Sequence, residues 1–367
     1  MNAADRFPRT AALRSVVFLN RFYAPDVAAT GQILADLAED LARDGWEVTV
    51  ITGRAAYAGD HVALPATELR NGVRVIRVWT TSLGRIPVAG RVAGYGSYLW
   101  GAFWALLRAR RGSVVVAMTD PPFLLAPALM AARLRGFRVV SWVQDVYPQL
   151  AVALGVLAPG TALSRRLHAY AGRLLRACDG VVTLGPGMSR VIADMGVAPE
   201  RVVAVHNWAD AGSIAPVAEA ENPFVREHGL EGRFVVMYSG TAGRAHTFDA
   251  VIEAARELAA DPAILFLFVG GGAQSAALRA ATATAPVRFL AYQPRAMLAA
   301  SLSAGHLALV TENPRAAGLV LPSKTYGAMA AGRPILYVGE PDGDVAAMIR
   351  EHGCGIVVSH DDAAGIV

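Results

Sequence analysis

The chain has 367 residues, 54% of them hydrophobic and only 17% charged, which excludes a disordered polyelectrolyte and leaves room for two domains with separate cores. A net charge of +4 and a pI near 9.3, with no basic block or interleaving of basic and aromatic residues, give no ground for nucleic-acid binding and fit a protein that rests against an anionic membrane surface. Cys178 and Cys354 are isolated, without metal-ligand spacing, as for buried thiols in a reducing compartment.

The first 25 residues hold a polar start and then a short strand-like run, with no secretory apolar region, so a cytosolic N-terminus is expected. "TGQILADLAEDLARDGWEV" follows as a helix, with Ile33, Leu34, Leu37 and Leu41 on one stripe, a Glu39–Arg43 pair and Gly45 as its stop. The longest apolar segment, Val92 to Leu107, is too short and too glycine-broken to span a bilayer. It reads as a covering helix of an α/β domain, or as a helix lying on a membrane with Trp100 and Trp104 at headgroup depth. Short β-branched runs alternate with helical patterns from "SVVFLN" to "RVVAVH". After a polar stretch the rhythm restarts with "RFVVMYSG" and continues to "GIVVS". Near-continuous apolar strands separated by helices predict two doubly wound, Rossmann-like parallel sheets, with a first domain over 1–210 and a second over 211–367.

Ligands of such sheets gather beyond the carboxyl ends of the strands. The residues there are "RFYAPDVAATG", Asp120 before two prolines, and "QDVYP" with Asp145; in the second half they are "SGTAGRAH" with Gly240, Gly243 and Arg244, then Gly270 to Gly272, then Glu312. Glycines suit any strand-to-helix turn as well as a phosphate contact. Asp120 reads as a turn former, Asp145 as a partly enclosed carboxylate, and Asp342-Gly343-Asp344 as a helix cap rather than a metal site.

Lys324 is the one lysine beside 33 arginines. It opens a short predicted helix, "SKTYGAMAAG", with Ser323 at the N-cap and Gly332 past the end. A lysine in a first turn opposes the helix dipole unless an anion neutralises both, so this position points to phosphate.

In this order and spacing, "FYAPDVAATGQILADLAEDLARDGWEVTVITG", "SWVQDVYPQLAVALGVL", "VVTLGPGMSRVI", "VAVHNWAD", "VVMYSGTAGRAHTFDAVIEAA", "LPSKTYGAMAAGRPIL" and "EHGCGIVV" resemble the retaining GT-B glycosyltransferases of family 4, in the branch that builds bacterial capsule, O-antigen and exopolysaccharide of the colanic acid type. The resemblance implies two Rossmann-like domains facing a cleft. The first would take a polyprenyl-diphosphate-linked saccharide at the inner membrane face, the second a nucleotide sugar, with no cofactor and no metal required. It puts Asp145 beside the reacting sugar and Arg244 and Lys324 on the diphosphate, where they stabilise the leaving group as an oxocarbenium-like sugar forms. It puts the backbone of Thr30-Gly31 near the donor phosphates, and Gly240, Gly243, Gly270, Gly271, Glu312, Ser323 and Tyr326 around the donor. Tyr23 and Asp26 are the acceptor-side candidates.

The sequence departs from the family in three places. A glutamate pair separated by seven residues is absent, with Leu319 and Gly327 at its positions and Glu312 as the substitute ribose ligand. The first loop of the second half reads "GRAHT", with His246 where a lysine-bearing turn is usual. The chain stops at "DDAAGIV", where relatives continue into helices, so a truncated second domain is expected. The alternative reading is a non-catalytic partner or membrane scaffold of the same fold. A sugar-nucleotide epimerase would need more acidic and histidine residues, and a nicotinamide-dependent reductase a G-x-G-x-x-G at the first strand turn.

Overall fold

The computed structural model describes residues 14–26, 28–54, 64–81, 87–210 and 212–367; the start of the chain read above as cytosolic lies outside them. The strands are β1 (Ser15–Leu19), β2 (Glu47–Gly53), β3 (Thr67–Arg70), β4 (Val73–Val78), β5 (Val114–Ala117), β6 (Arg138–Trp142), β7 (Gly180–Thr183) and β8 (Val202–Ala204) in the first half. In the second half they are β9 (Phe234–Ser239), β10 (Ile264–Val269), β11 (Val287–Leu290), β12 (Leu307–Thr311), β13 (Ile335–Gly339) and β14 (Gly355–Ser359).

One sheet has the order β3-β4-β2-β1-β5-β6-β7-β8 and the other β11-β10-β9-β12-β13-β14. All five pairings of the second sheet are parallel. In the first, β1 pairs parallel with β2 and β5, whereas β3 pairs antiparallel with β4. The sequence pattern missed β3 because "TELR" is a half-exposed edge strand without an apolar run.

Alternation within the strands explains why they read as continuous apolar runs. On β9 and β10, Val236, Tyr238, Phe266 and Phe268 join one buried cluster, while Val235, Met237, Leu265 and Leu267 join another. Successive side chains point to opposite faces, so both faces of the sheet are covered. Each such fully buried side chain contributes about 1.5–3 kcal/mol.

The chain parts into two compact units. The first comprises Met1–Gln144, Ala169–Val182 and Gly196–Val203; the second comprises Asp145–His168, Thr183–Met195 and Ala204–Val367. The sheets divide the chain between β8 and β9, but the second unit also takes up segments of the first half, so the division is interleaved and not a single cut at 210.

The first helix is Ala29–Arg43, with Ile33 and Leu34 buried and Gly45 in the left-handed region just beyond it. Arg43 pairs with Asp40 three residues back, not with Glu39. Both partners are exposed, so the pair is worth little. The apolar helix spans Pro87–Leu106; Tyr98, Ala102 and Leu106 are buried, whereas Trp100 (65%) and Trp104 (44%) are exposed. Among the described residues no helix is long and apolar enough to cross a membrane.

Asp344 caps a helix, although not its own. It opens the helix Asp344–His352, and its carboxylate accepts the backbone N–H groups of Gly187 (2.7 Å) and Met188 (3.3 Å) at the start of the helix Pro186–Asp194. A side chain on Gly185 or Gly187 would strike that carboxylate. Asp344→Ala is therefore expected to destabilise the protein by about 1 kcal/mol, the usual cost of a lost cap, against less than about 0.5 kcal/mol for exposed Asp342→Ala. Urea denaturation of both variants checks this, and equal midpoints would refute it.

Candidate functional site

Both sheets reverse their strand order once, between β1 and β5 in the first and between β9 and β12 in the second. The connections leave such a pair in opposite directions and open a crevice at their carboxyl ends. In the second sheet this crevice is bordered by Gly240 to His246 after β9 and by Glu312 after β12.

The loop after β9 lies directly on the loop after β10. Gly270 has φ +131°, and a Cβ there would stand 2.3 Å from the Gly240 carbonyl oxygen; Gly272 has φ +134° and meets the Ala242 backbone in the same way. These glycines are required by the packing of one loop on the other. Ala242 N–H donates to the Gly271 carbonyl (2.7 Å), and Gln274 N–H to the Ala242 carbonyl (3.1 Å).

Lys324 enters this crevice. Its Cε would be 3.4 Å from a Cβ on Gly240, its Nζ lies 4.6 Å from the centroid of the Tyr238 ring, and the same Nζ is 3.0 Å from His246 Nε2. Among the described residues no carboxylate forms an ion pair with it. Its side chain is only partly covered by surface area, but its ammonium end is closely surrounded, and this desolvation pushes its pKa down to about 7. The helix it opens, Lys324–Ala330, has seven residues, and Ser323 before it makes no side-chain capping bond. The lysine and the glycine-loop backbone, not a helix terminus, define the site.

Arg244 is exposed on the same loop, and Gly243 has open space where a side chain would be. Asp145 pairs with Val320 in an isolated antiparallel bridge, and Val146 N–H donates to the Leu319 carbonyl (2.8 Å), so Asp145 and the segment leading to Lys324 are stitched together within the second unit. Gly271 approaches the Tyr292 ring, whose hydroxyl shares a 2.6 Å hydrogen bond with Thr241 Oγ1. Tyr326 is buried, its hydroxyl 3.5 Å from His206 Nδ1 and its pKa raised by burial.

Three groups of expected site residues are engaged in packing or turns. Glu312 is 2% exposed and accepts a short hydrogen bond from the Tyr337 hydroxyl; burial raises its pKa to about 7, with Tyr337 opposing, so it is a core group and not an open ribose ligand. Tyr23 is buried, its phenol held neutral by desolvation, and Asp26 accepts the Ala28 N–H (3.1 Å) as a turn former. Thr30 and Gly31 lie in the first turn of the helix Ala29–Arg43; a Cβ on Gly31 would stand 3.2 Å from the Phe22 carbonyl, so this glycine serves helix-to-loop packing.

Two residues gain weight that the sequence reading did not give them. Asp120, read as a turn former, lies just beyond β5 at the switch point of the first sheet, where burial raises its pKa to about 6 against the pull of Arg21. His246, noted only as a departure from a pattern, is the hydrogen-bond partner of Lys324. A histidine three residues beyond a loop glycine carries no signal of that role in a single sequence. Among the described residues no group of three His, Cys, Asp or Glu side chains gathers as metal ligands.

Two parallel α/β sheets of this topology are those of the GT-B fold. A sucrose-phosphate synthase from Thermosynechococcus elongatus superposes with a TM-score of 0.73 at 17% identity, over 96% of this chain and 88% of that one. Anabaena HepE, in complex with UDP and glucose, gives 0.70 at 15% over 96% and 88%. Residues 29–208 match the model of the glycosyl transferase 4-like domain. The probable glycosyltransferase WbjE of Pseudomonas aeruginosa is 31% identical over 251 residues, 68% of this chain and 62% of that protein. The putative colanic acid biosynthesis glycosyl transferase WcaI of Escherichia coli K12 is 27% identical over 325 residues, 84% of this chain and 79% of its own length. The chain belongs to the family-4 GT-B glycosyltransferases.

Proposed function

We propose that the chain is a retaining glycosyltransferase that moves a hexosyl or deoxyhexosyl group from a nucleoside-diphosphate sugar to a lipid-linked saccharide, as a step in building a cell-surface polysaccharide. The observation that carries this reading is the partly covered Lys324, whose desolvated amine has no carboxylate ion-paired to it among the described residues, at the switch point of the second sheet. An anion arriving there restores the charge that burial disfavours. The UDP complex of HepE supports the same class of donor, and the relatives WbjE and WcaI support glycosyl transfer.

The barrier lies in separating the sugar from its diphosphate. Lys324 and the exposed Arg244 would stabilise charge on the departing phosphates, and fixed cations in a dry site contribute most to such a step. Asp145, held in a bridge to Val320, would orient the sugar or the incoming hydroxyl, and in a front-face reaction the leaving phosphate itself takes the proton. No metal is needed in this scheme.

The acceptor is proposed to lie at the inner face of the cell membrane. Trp100 stands 5.6 Å from Trp104 and 6.3 Å from Phe103 by ring centroids, forming an aromatic cluster on the exposed side of its helix, followed by exposed Arg108, Arg110 and Arg111. Aromatic rings beside arginines suit the headgroup level of an anionic bilayer. Sedimentation with vesicles of anionic phospholipid is expected to carry the protein down, and Trp100→Ser/Trp104→Ser to leave it in solution. Equal partition of both proteins refutes the membrane assignment.

The donor assignment is tested by thermal stabilisation with UDP, GDP and dTDP. One of them is expected to raise the melting temperature of the native chain and of Asp145→Ala, but not that of Lys324→Ala. Because the free lysine titrates near 7 and the bound one is held as a cation, affinity is expected to fall by up to about tenfold per unit as pH rises above 7. No stabilisation by any nucleotide would instead favour a non-catalytic member of the fold.

A further inference from the structure

The partner that holds Lys324 in place is not explained by a diphosphate role for the lysine alone. His246 Nδ1 lies 2.6 Å from the Thr311 carbonyl oxygen. A carbonyl only accepts, so Nδ1 carries the proton and Nε2 presents its lone pair. That lone pair faces Lys324 Nζ at 3.0 Å. The imidazole stands edge-on to Tyr238, with centroids 5.8 Å apart and planes at 81°, and the lysine nitrogen lies over the same phenol ring.

The backbone beneath the imidazole is pinned as well. His246 N–H donates to the Gly243 carbonyl (3.1 Å), and Gln274 Nε2 donates to the carbonyls of Gly243 (2.6 Å) and His246 (2.9 Å). Thr311 is the last residue of β12 and the loop of His246 follows β9, so the imidazole bridges the two strands that diverge at the switch point. Burial first, and then the neighbouring lysine, push the pKa of His246 down to about 3, so the ring stays a neutral acceptor at every working pH.

We infer that His246 is a positioning residue for the donor site: locked in one tautomer by Thr311, it accepts a hydrogen bond from Lys324 and holds that ammonium nitrogen beside the glycine loop where a nucleoside diphosphate enters. A lysine has a long flexible stem and three rotatable donors, so alone it would sample many positions. The imidazole removes that freedom before the ligand arrives, which is preorganisation of a binding charge. The inference rests on the reading of Lys324 as a diphosphate ligand.

The test is a double-mutant cycle read by isothermal titration with UDP, GDP and dTDP. The variants are His246→Ala, His246→Gln, Lys324→Ala and His246→Ala/Lys324→Ala, each first checked for a cooperative melt. A glutamine carboxamide keeps one donor and one acceptor and replaces the imidazole in both bonds. His246→Ala is expected to weaken the nucleotide that binds by about tenfold, the scale of one hydrogen bond to a charged group, and His246→Gln by less than about threefold. In the Lys324→Ala background the loss of His246 is expected to add less than about twofold, because coupled residues are not additive.

Equal losses for His246→Ala in both backgrounds, or a glutamine no better than alanine, would overturn the inference and leave His246 as a packing residue of the loop. The donor reading fails separately. If Lys324→Ala binds as the native chain does, or no nucleotide binds at all, the lysine is not a diphosphate ligand and the inference falls with it. If Lys324→Ala binds weakly but His246→Ala binds normally, the donor reading stands and only the positioning role is lost.

Discussion

The ammonium group of Lys324 is packed between a phenol ring, a neutral imidazole and a glycine loop, and no carboxylate among the described residues forms an ion pair with it. Removing a charge from water without a counter-charge is unfavourable by several kcal/mol unless the group sheds its proton or finds an anion. Around this one constraint the surrounding features take on a common meaning. His246 and Tyr238 can each face a cation without neutralising it: one offers a lone pair, the other the face of its ring. A carboxylate in either place would satisfy the lysine permanently and leave nothing for a ligand to do.

The fold makes such a position available. The reversal of strand order at β9 and β12 opens a crevice where two loops part, and the close contact of Gly240 with Gly270 brings the loop after β9 and the loop after β10 to one level beside it. The first sheet has an equivalent reversal at β1 and β5, where Arg21 N–H donates to the Asp120 carbonyl at 2.9 Å and the Arg21 guanidinium lies 5.0 Å from the Tyr95 ring centroid. The two units thus present opposite chemistry at equivalent places. One has a carboxylate with a raised pKa beside an arginine, and the other has a lysine with a lowered pKa beside glycines.

Much of this architecture was legible in the sequence, because it depends on local pattern. Runs such as "ILFLFV" report strands covered on both faces, and the solitary lysine marks a position beside the glycine loop. What was not legible depends on partners far away in the chain. His246 meets Lys324 across 78 residues, and Asp344 meets Gly187 across 157. Gly31 resembled a ligand-facing glycine but is needed for contact with the Phe22 backbone, and Glu312 stood at a strand end yet turns inward to Tyr337. In each case the residue type was informative about chemistry and silent about direction, which only packing decides.

Because the chain contains a single lysine, selective labelling with 13Cε-lysine yields one assigned signal, and its titration reads the Lys324 ammonium directly. The account predicts a pKa near 7 in the ligand-free protein, moving upward when the nucleoside diphosphate is bound. An ordinary lysine value near 10.4 in the free protein, unmoved by nucleotide, would contradict it.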